Sequence, residues 1–319
     1  MAPSGDRIHA HARKVVVRKS TGSDFDWNDL KTFLVVARTR RLTAAATKLG
    51  ADHTTVGRRI ASLEKDLGTV LFHRSPTGYA LTEEGERLLP AAEAMEAAAL
   101  GAQGELDAAD GSVSGTVRIG APEGFGSYFL APRLCRLSDR HPELEVQLVA
   151  IPGVFSLSKR EADLAVTLSA PTEGRLTARK LTDYRLGFYA SADYLASNAP
   201  IQDLADLKDH RLVGYIEDLV YTPELDYLAQ LGIEQPPRLK SSNLIAQLKA
   251  TAAGAGVCVL PRFVAAAEPD LRPVLSEEVA LTRSFWLIGH EDLRGLPRIR
   301  AAADFVAEAV RDARSVFEG

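Results

Sequence analysis

A short polar stretch near the N-terminus carries the side chains best suited to specific recognition. His53, Thr54, Thr55, Arg58 and Arg59 place an imidazole, two hydroxyls and two guanidinium groups close together in the sequence. Such groups form hydrogen bonds with base edges and phosphate oxygens, which are the polar groups of a DNA groove. Arg58 and Arg59 are neighbours and cannot both face the same direction. We therefore expect one to read bases and the other to contact the backbone.

The sequence around these side chains predicts two helices joined by a tight turn over residues 42–67. Thr43 can cap the first helix, Gly50 ends it, and Asp52 can cap the second. Two short helices with a polar, basic front on the second suit insertion into a major groove. The alternative is an ordinary helical hairpin with solvated charges. An apolar stripe at helical spacing fixes the buried side of the second helix: Val56, Ile60, Leu63 and Leu67.

The flanking elements would support this hairpin. An amphipathic helix should begin near Asp26 or Asn28, and Gly68 should end the recognition helix. Extended runs at 69–72 and 79–81, separated by turn residues, predict a small β-wing with His73 and Arg74 at its edge. A solvated hairpin is the alternative for both side chains. The predicted DNA contacts are Thr43, His53, Thr54, Thr55, Arg58, Arg59 and Arg74.

Composition sets the broad class of the protein. The chain has 319 residues, a formal net charge of −4, 46% hydrophobic residues and 25% charged residues. It is long enough for two or three domains, and DNA binding would depend on local basic patches. Its two cysteines, Cys135 and Cys258, indicate a reducing compartment. No apolar run predicts a membrane span or a signal peptide, so we expect a cytoplasmic protein. Residues 1–24 resemble a disordered basic extension.

A long helix should follow the wing, with Thr82 as its cap. Its apolar residues alternate in steps of four and three, which predicts a dimerisation seam of small side chains. Packing of this helix on a later domain of the same chain is the alternative. Glycines near 104–115 predict a hinge-like linker. The seam residues are Leu88, Ala92, Met95 and Ala99.

From Thr116 onward strands alternate with helices, which predicts a mainly parallel α/β sheet. The pattern favours two small lobes, with the chain crossing between them near 182–186 and returning near 280–285. Strands are predicted at 116–120, 145–151, 164–168, 185–190, 211–216, 257–260 and 284–290. Helices are predicted at 125–138, 157–160, 223–231, 243–253 and 298–317.

Taken together, residues 25–317 resemble the LysR-type transcriptional regulators. The resemblance rests on LKTFLVVARTRRLTAAATKLGADHTTVGRRIASLEKDLGTVLFHR and LTEEG, and later on GTVRIGAPEGFGSYFLAPRL, READLAVTLS, SSNLIAQLKATAAGAGVCVLPRF and WLIGHEDLRGLPRIRAAADFV. It implies an all-α-dominated winged helix-turn-helix domain, a dimerising linker helix, and a two-lobed, periplasmic-binding-protein-like (type II) α/β effector domain.

The resemblance also implies boundaries and partners. The expected divisions are an extension at 1–24, a DNA-binding domain at 25–85, a linker at 86–112 and an effector domain at 113–317. Lobe 1 would comprise 113–182 and 284–317, and lobe 2 would comprise 183–283. Expected partners are double-stranded promoter DNA, a small-molecule effector, further copies of the chain in a homodimer or homotetramer, and RNA polymerase. No cofactor, metal or membrane is expected.

Three residues depart from the family pattern in the recognition helix. Asp52 and His53 stand where the family usually has Ser or Thr followed by Gln, and Gly57 replaces the usual serine. Asp52 can still cap the helix but would repel a nearby phosphate, and His53 lacks the bidentate match of glutamine to adenine. Gly57 lowers helix stability by ~1 kcal/mol relative to alanine. These changes leave the DNA-binding class intact, and the family pattern therefore does not predict the operator sequence.

An effector should bind between the lobes, where strand ends and helix N-termini meet. Glu123 would disfavour an anion there unless it turned outward, so we predict a neutral, amine-bearing or aromatic effector. Ser242 and Asn243 are equally compatible with simple helix capping. The predicted contacts are Ala121, Pro122, Glu123, Thr167, Leu168, Tyr215, Ile216, Ser242 and Asn243.

Other functions have less support. The sequence has no HExxH, CxxC or GxSxG motif, and the glycines at 254 and 256 precede a strand instead of following one, so no catalytic residues are assigned. A small-molecule binding protein without a DNA role would not need residues 25–85. A redox-sensing regulator could use Cys135 or Cys258, although both sit in apolar patterns typical of inert core cysteines.

Overall fold

A computed structural model describes residues 25–76, 78–107, 113–153, 155, 157, 161–171, 175–279 and 281–318. The chain divides into two compact units, Met1–Ala92 and Glu93–Gly319. The predicted extension at 1–24, part of the predicted linker and most of the predicted helix at 157–160 lie outside the described residues.

Three helices and a two-stranded hairpin form the N-terminal unit. Asp26 and Asp52 cap the first and third helices by accepting from Asn28 N and Thr55 N, and Gly50 and Gly68 end the second and third in the left-handed region, as predicted. The elements are α1 (Trp27–Thr39), α2 (Leu42–Leu49), α3 (His53–Leu67), β1 (Phe72–Ser75) and β2 (Gly78–Leu81).

The predicted cap at Thr43 is wrong. Helix α2 begins at Leu42, and Arg41 is its N-cap without a side-chain hydrogen bond. The preceding residue, Arg40, adopts a left-handed conformation with φ 56°, and its carbonyl oxygen accepts from Tyr79 N at 2.8 Å. This contact between the turn and the wing sets where the helix starts, so Thr43 lies inside the helix with its side chain exposed.

The first wing strand also starts later than predicted. The Glu64 carboxylate accepts from Leu71 N at 2.9 Å and from Phe72 N at 3.3 Å, which takes both N–H groups away from strand pairing. Regular pairing begins at Phe72, which is buried against Phe33 with ring centroids 5.3 Å apart. A half-buried acceptor on α3 therefore defines the start of the wing.

Helix α4 (Glu83–Asp107) contributes to the cores of both units. Thr82 caps it as predicted, since its hydroxyl oxygen accepts from Gly85 N at 3.1 Å. Leu88 and Ala92 pack on the core of the N-terminal unit. Ala97 is buried in the core of the second unit. Packing within the chain buries Ala92 and partly buries Leu88, and the predicted dimerisation seam stays a prediction.

The second unit is a two-lobed α/β domain. Its described strands form one nine-stranded mixed sheet in the order β4-β3-β5-β11-β6-β9-β7-β8, with β10 paired to β6. Pairs β3–β4, β3–β5, β7–β8 and β7–β9 are parallel, and pairs involving β6 or β11 are antiparallel. The strands are β3 (Gly115–Ala121), β4 (Leu144–Ala150), β5 (Leu164–Thr167), β6 (Leu176–Ser191), β7 (Leu212–Gly214), β8 (Leu239–Lys240), β9 (Val257–Pro261), β10 (Leu271–Val274) and β11 (Leu281–His290).

Strands β6 and β11 are the connection between the lobes. They pair along ten residues of β11, from Leu281 with Leu186 to His290 with Leu176, with a bulge between Phe285 and Trp286. The sequence predicted only the second half of β6, because the first half is exposed and carries Arg179 and Lys180. The predicted crossing at 182–186 lies within β6, and the described residues 281–285 of the predicted crossing at 280–285 lie within β11.

Helices cover the sheet. A stretch of π-helix, Phe125–Leu130, leads into α5, where one continuous helix was predicted. The predicted helix at 223–231 is a short 3-10 turn, Pro223–Leu225, followed by α7. The helices are α5 (Ala131–Arg140), α6 (Ala192–Ser197), α7 (Tyr227–Gln230), α8 (Leu244–Ala252), α9 (Arg262–Ala265), α10 (Pro297–Asp312) and α11 (Arg314–Glu318). Further 3-10 turns occupy Leu204–Asp209, Glu217–Leu219 and Glu291–Leu293.

Gly57 provides a test of the recognition helix. A Cβ at this position would lie 3.7 Å from Leu42 Cδ1, an ordinary contact, so the fold itself has room for alanine. Gly57→Ala should raise the free energy of unfolding by about 0.5–1 kcal/mol, because alanine favours the helix. Thermal and urea denaturation would measure the change.

Gly78→Ala is the matched control. Gly78 has φ 137°, and a Cβ there would lie 2.3 Å from the Arg40 carbonyl oxygen. This variant should lose about 1–3 kcal/mol. Equal effects of the two substitutions would contradict the described packing of the turn.

Candidate functional site

The outward surface of α3 carries the predicted DNA contacts. Val56, Ile60 and Leu63 are fully buried, which turns the opposite side of the helix toward solvent. His53, Thr54 and Arg58 are exposed, whereas Thr55 and Arg59 are half-buried. The two arginines therefore do occupy different environments, with Arg58 the more accessible.

Asp52 organises the tip of this helix. Its carboxylate accepts from the Thr54 hydroxyl, from Thr55 N at 2.7 Å and from the Thr55 hydroxyl at 2.8 Å. These hydrogen bonds, that of Thr54 foremost, hold the pKa of the Asp52 carboxyl well below its usual range. The hydroxyl groups of Thr54 and Thr55 thus both donate to an Asp52 carboxylate that stays ionised. Donation from Thr54 or Thr55 to a phosphate would require these bonds to break.

Arg74 has a partner within the chain. Its guanidinium lies 3.1 Å from the Glu64 carboxylate and 5.8 Å from the centre of the Tyr79 ring. The side chain remains 55% exposed. Because Glu64 also anchors the start of the wing, Arg74 stabilises the wing in addition to any contact with a phosphate.

The second candidate site is the cleft between the lobes of the second unit. It encloses a cavity of about 30 Å³, which suits a water molecule or two. An adjoining cavity of about 180 Å³ shares Pro122, Leu168 and Tyr221 with it. Both are smaller than the roughly 300–1,000 Å³ of typical ligand pockets. In this conformation, neither of these two cavities has room for an effector of ordinary size.

The structure brings some predicted effector residues together and not others. Pro122, Glu123, Leu168 and Tyr215 line the smaller cavity, and Thr167 lines the adjoining one. Asn243 contacts Glu123 across the cleft. Four predicted residues line neither cavity: Ala121, Ile216, Ser242 and Asn243.

Sequence reasoning missed most of the aromatic lining. Tyr184 and Phe285 come from the paired strands β6 and β11 and stack with ring centroids 4.1 Å apart. Tyr184 and Phe285 reach the cavity because of where β6 and β11 cross between the lobes. Local sequence patterns do not predict that position. The remaining aromatic residues of the lining are Phe125, Tyr221, Tyr227 and Phe263.

Burial governs the chemistry of the tyrosines. It raises the pKa of Tyr221 to about 12 and raises the pKa of Tyr184, Tyr215 and Tyr227. Their phenols therefore remain neutral at physiological pH and can act as hydrogen-bond donors or acceptors. Of the described residues lining the smaller cavity, none is a lysine, arginine or histidine, and Glu123 supplies the only carboxylate.

Glu123 links the lobes directly. It follows β3 in lobe 1, and its carboxylate accepts from the Asn243 side-chain amide and from Leu244 N at 3.1 Å in lobe 2. Asn243 is the N-cap of α8 and itself accepts from Ala246 N at 2.7 Å. Asn243 is therefore both the N-cap of α8 and a contact across the cleft.

Comparison with known proteins decides the family. Residues 27–86 match the bacterial regulatory helix-turn-helix protein, lysR family, and residues 110–311 match the LysR substrate binding domain. The chain belongs to the LysR family. LysR-type regulators bind promoter DNA and small-molecule effectors and form oligomers, and the winged helix-turn-helix and two-lobed domain of this chain have that architecture.

Individual LysR proteins resemble most of the chain. The regulator PtxR of Pseudomonas aeruginosa is 30% identical over 243 residues, covering 76% of this chain and 78% of PtxR. The Mau operon transcriptional activator of Paracoccus denitrificans is 27% identical over 283 residues, covering 89% and 96%. A full-length OxyR variant from Pseudomonas aeruginosa has the same fold, with a TM-score of 0.67, 21% identity and coverage of 90% and 98%.

Within this LysR protein the two cysteines differ in accessibility. Cys258 is buried in β9, as predicted, and burial raises its thiol pKa to about 12. Cys135 is exposed, so its prediction as a core residue is wrong. Helix α5 buries Leu137 and turns Cys135 outward. Since the thiolate is the reactive species, Cys258 is poorly suited to redox sensing.

No described helix of the chain is both long and apolar enough to cross a membrane.

Thiol labelling should distinguish the cysteines. The native protein should react with one equivalent of a thiol reagent per chain, at Cys135, and with two equivalents after unfolding in guanidinium. Cys135→Ser should abolish rapid labelling of the native state, and Cys258→Ser should leave it unchanged. Rapid native labelling of Cys258 would contradict its burial in β9.

Proposed function

We propose that the exposed front of α3 reads promoter DNA and that a small molecule in the interlobe cleft modulates this binding. The single observation that carries the proposal is the arrangement of α3, which buries its apolar residues and presents His53 and Arg58 to solvent. An accessible helix with polar and cationic side chains near its start has the geometry used for major-groove recognition.

The proposed roles follow from accessibility and charge. Arg58 and His53 contact base edges or adjacent phosphates, and half-buried Arg59 contacts the backbone. Thr43, Thr54, Thr55 and Arg74 remain proposed contacts. Asp52 makes the tip of α3 selective among the groups of DNA. Its negative charge repels a phosphate, whereas its carboxylate oxygens can accept a hydrogen bond from a cytosine amino group.

The proposed effector is neutral, amine-bearing or aromatic. The aromatic lining favours a flat or cationic group, because the faces of aromatic rings attract cations. Glu123 adds negative charge, and no cation among the described lining residues offsets it. The proposed contacts of an opened cleft are Pro122, Glu123, Leu168, Tyr184, Tyr215, Tyr221, Tyr227 and Asn243.

Helix α4 is the proposed basis of a homodimer or homotetramer. Ala92 is buried within the chain and Leu88 is partly buried, so the exposed seam residues Met95 and Ala99 are the proposed contacts with a second copy. Met95 is 43% exposed, and Ala91, Ala98 and Ala99 are exposed near it. Small residues around an exposed methionine permit close approach of another helix.

The remaining parts of the proposal concern context. We propose the domain divisions 25–85, 86–112 and 113–317, a cytoplasmic location and direct contact with RNA polymerase at regulated promoters. No catalytic step, metal or cofactor is part of the proposed function.

Arg58→Ala tests the proposed DNA contact. The probe is a duplex that the wild-type protein captures from fragmented genomic DNA. The binding free energy of the variant for this duplex should be less favourable by about 1–3 kcal/mol. The slope of log K against log salt should become less steep by about one, because one cationic contact is lost. Fluorescence anisotropy across a salt titration would measure both quantities.

Lys65→Ala is the matched control for Arg58→Ala. It removes the same charge from the exposed far end of α3 and should change affinity and salt slope little. The assignment of Arg58 fails if its variant binds like the wild type at every salt concentration. It also fails if Lys65→Ala is equally impaired.

Met95→Glu tests the oligomer. A charged side chain in the proposed helix contact should shift the protein to a smaller species, because an unpaired charge is costly to bury. Light scattering coupled to size-exclusion chromatography would report the mass. Glu86→Gln, on the opposite side of α4, should leave the mass unchanged, and an unaltered mass for Met95→Glu would place the interface elsewhere.

A further inference from the structure

The N-terminus of α8 presents hydrogen-bond donors that suit an anion. The chain itself supplies that anion. Leu244 N and the Asn243 side-chain amide both donate to the carboxylate of Glu123. Helix α8 has nine residues, and a negative charge at its N-terminus is favoured by the unpaired N–H groups and the helix dipole. These donors belong to lobe 2, whereas the carboxylate belongs to lobe 1.

The packing around this contact is close on both sides. A Cβ on Gly124 would lie 2.7 Å from Leu244 Cδ2 and 3.3 Å from Val264 Cγ2. The backbone after Glu123 therefore lies directly against lobe 2, and the cavity beside it measures only about 30 Å³. The Glu123 contact cannot persist if the lobes separate far enough to admit an effector.

We propose that Glu123 is a built-in ligand that closes the cleft and excludes free carboxylates from the α8 N-terminus. The inference rests on the proposed effector site and adds its specificity determinant. A carboxylate tethered to the same chain acts at an effective concentration that a free monocarboxylate must exceed to displace it. No cation among the described lining residues offers a free anion a charged second point of attachment.

This assignment differs from simple helix capping in one respect. Asn243 already caps α8 through Ala246 N, so the helix has its own local cap without Glu123. If Glu123 is a ligand, a free carboxylate of the right size should be able to replace it. If Glu123 only stiffens the loop, a free carboxylate should have no effect.

Glu123→Ala provides the direct test with acetate as the probe. The substitution removes a methylene and a carboxylate, which are the heavy atoms of acetate. Without acetate, amide hydrogens of a peptide covering residues 241–248 should exchange about tenfold faster than in the wild type, because a charge-assisted hydrogen bond is lost. Acetate should restore the protection and raise the melting temperature of the variant, whereas chloride at equal ionic strength should not.

Controls separate this proposal from general salt effects and from the proposed function. The wild type, and Glu123→Gln, which keeps an acceptor oxygen in place, should not respond to acetate. Glu123→Ser is the second variant should Glu123→Ala fail to fold, and it should respond in the same way. An equal acetate response in the wild type, or none in folded Glu123→Ala or Glu123→Ser, overturns the built-in ligand. DNA binding by the same preparations reports independently on the proposed function.

Discussion

The antiparallel pairing of β6 with β11 is the constraint on which the effector domain depends. Both strands run through the two lobes, so each lobe shares its sheet with the other at this pair. A bulge between Phe285 and Trp286 interrupts the register where the strands pass from one lobe to the other. Stacking of Tyr184 on Phe285 beside this bulge packs the crossing with aromatic side chains. The position of these strands therefore fixes the walls of the cleft.

The same crossing brings a side-chain carboxylate next to a backbone N–H group. Residues after β3 in lobe 1 meet the first turn of α8 in lobe 2, where Glu123 satisfies Leu244 N. In the N-terminal unit Asp52 satisfies Thr55 N at the start of α3. Both helices thus have a carboxylate of the chain at their positive ends, which is the electrostatically favoured place for one. Recognition at either place must then use other groups, namely the cations of α3 and the tyrosines of the cleft.

Helix α4 shows how burial within the chain limits what remains for assembly. Its repeat of small and apolar residues can supply a core contact, an oligomer contact or both. Leu88, Ala92 and Ala97 are used by the cores of the two units, whereas Met95 is left exposed. One helix can therefore contribute to two folded units and still present an apolar strip.

The sequence alone determined the elements that depend on local chemistry. Asp26, Asp52 and Thr82 accept backbone hydrogen bonds at helix starts, and left-handed Gly50 and Gly68 end helices, because caps act within a few residues. The period of the apolar residues likewise located the described core strands of lobe 1 and α3. The LysR resemblance, carried by the order of these pieces, gave the architecture.

Other features depend on contacts between residues far apart in the chain, and these contacts exist only in the folded protein. Thr43 lost its predicted capping role because Tyr79 fixes the turn before α2, and Arg74 gained Glu64 as a partner. The first half of β6 has no apolar pattern, because most of its side chains are not buried. Pairing with β11 keeps this segment extended. Glu123 could be recognised from sequence as a carboxylate beside a cleft. Its bond to Leu244, more than a hundred residues away, required the lobes to be folded together.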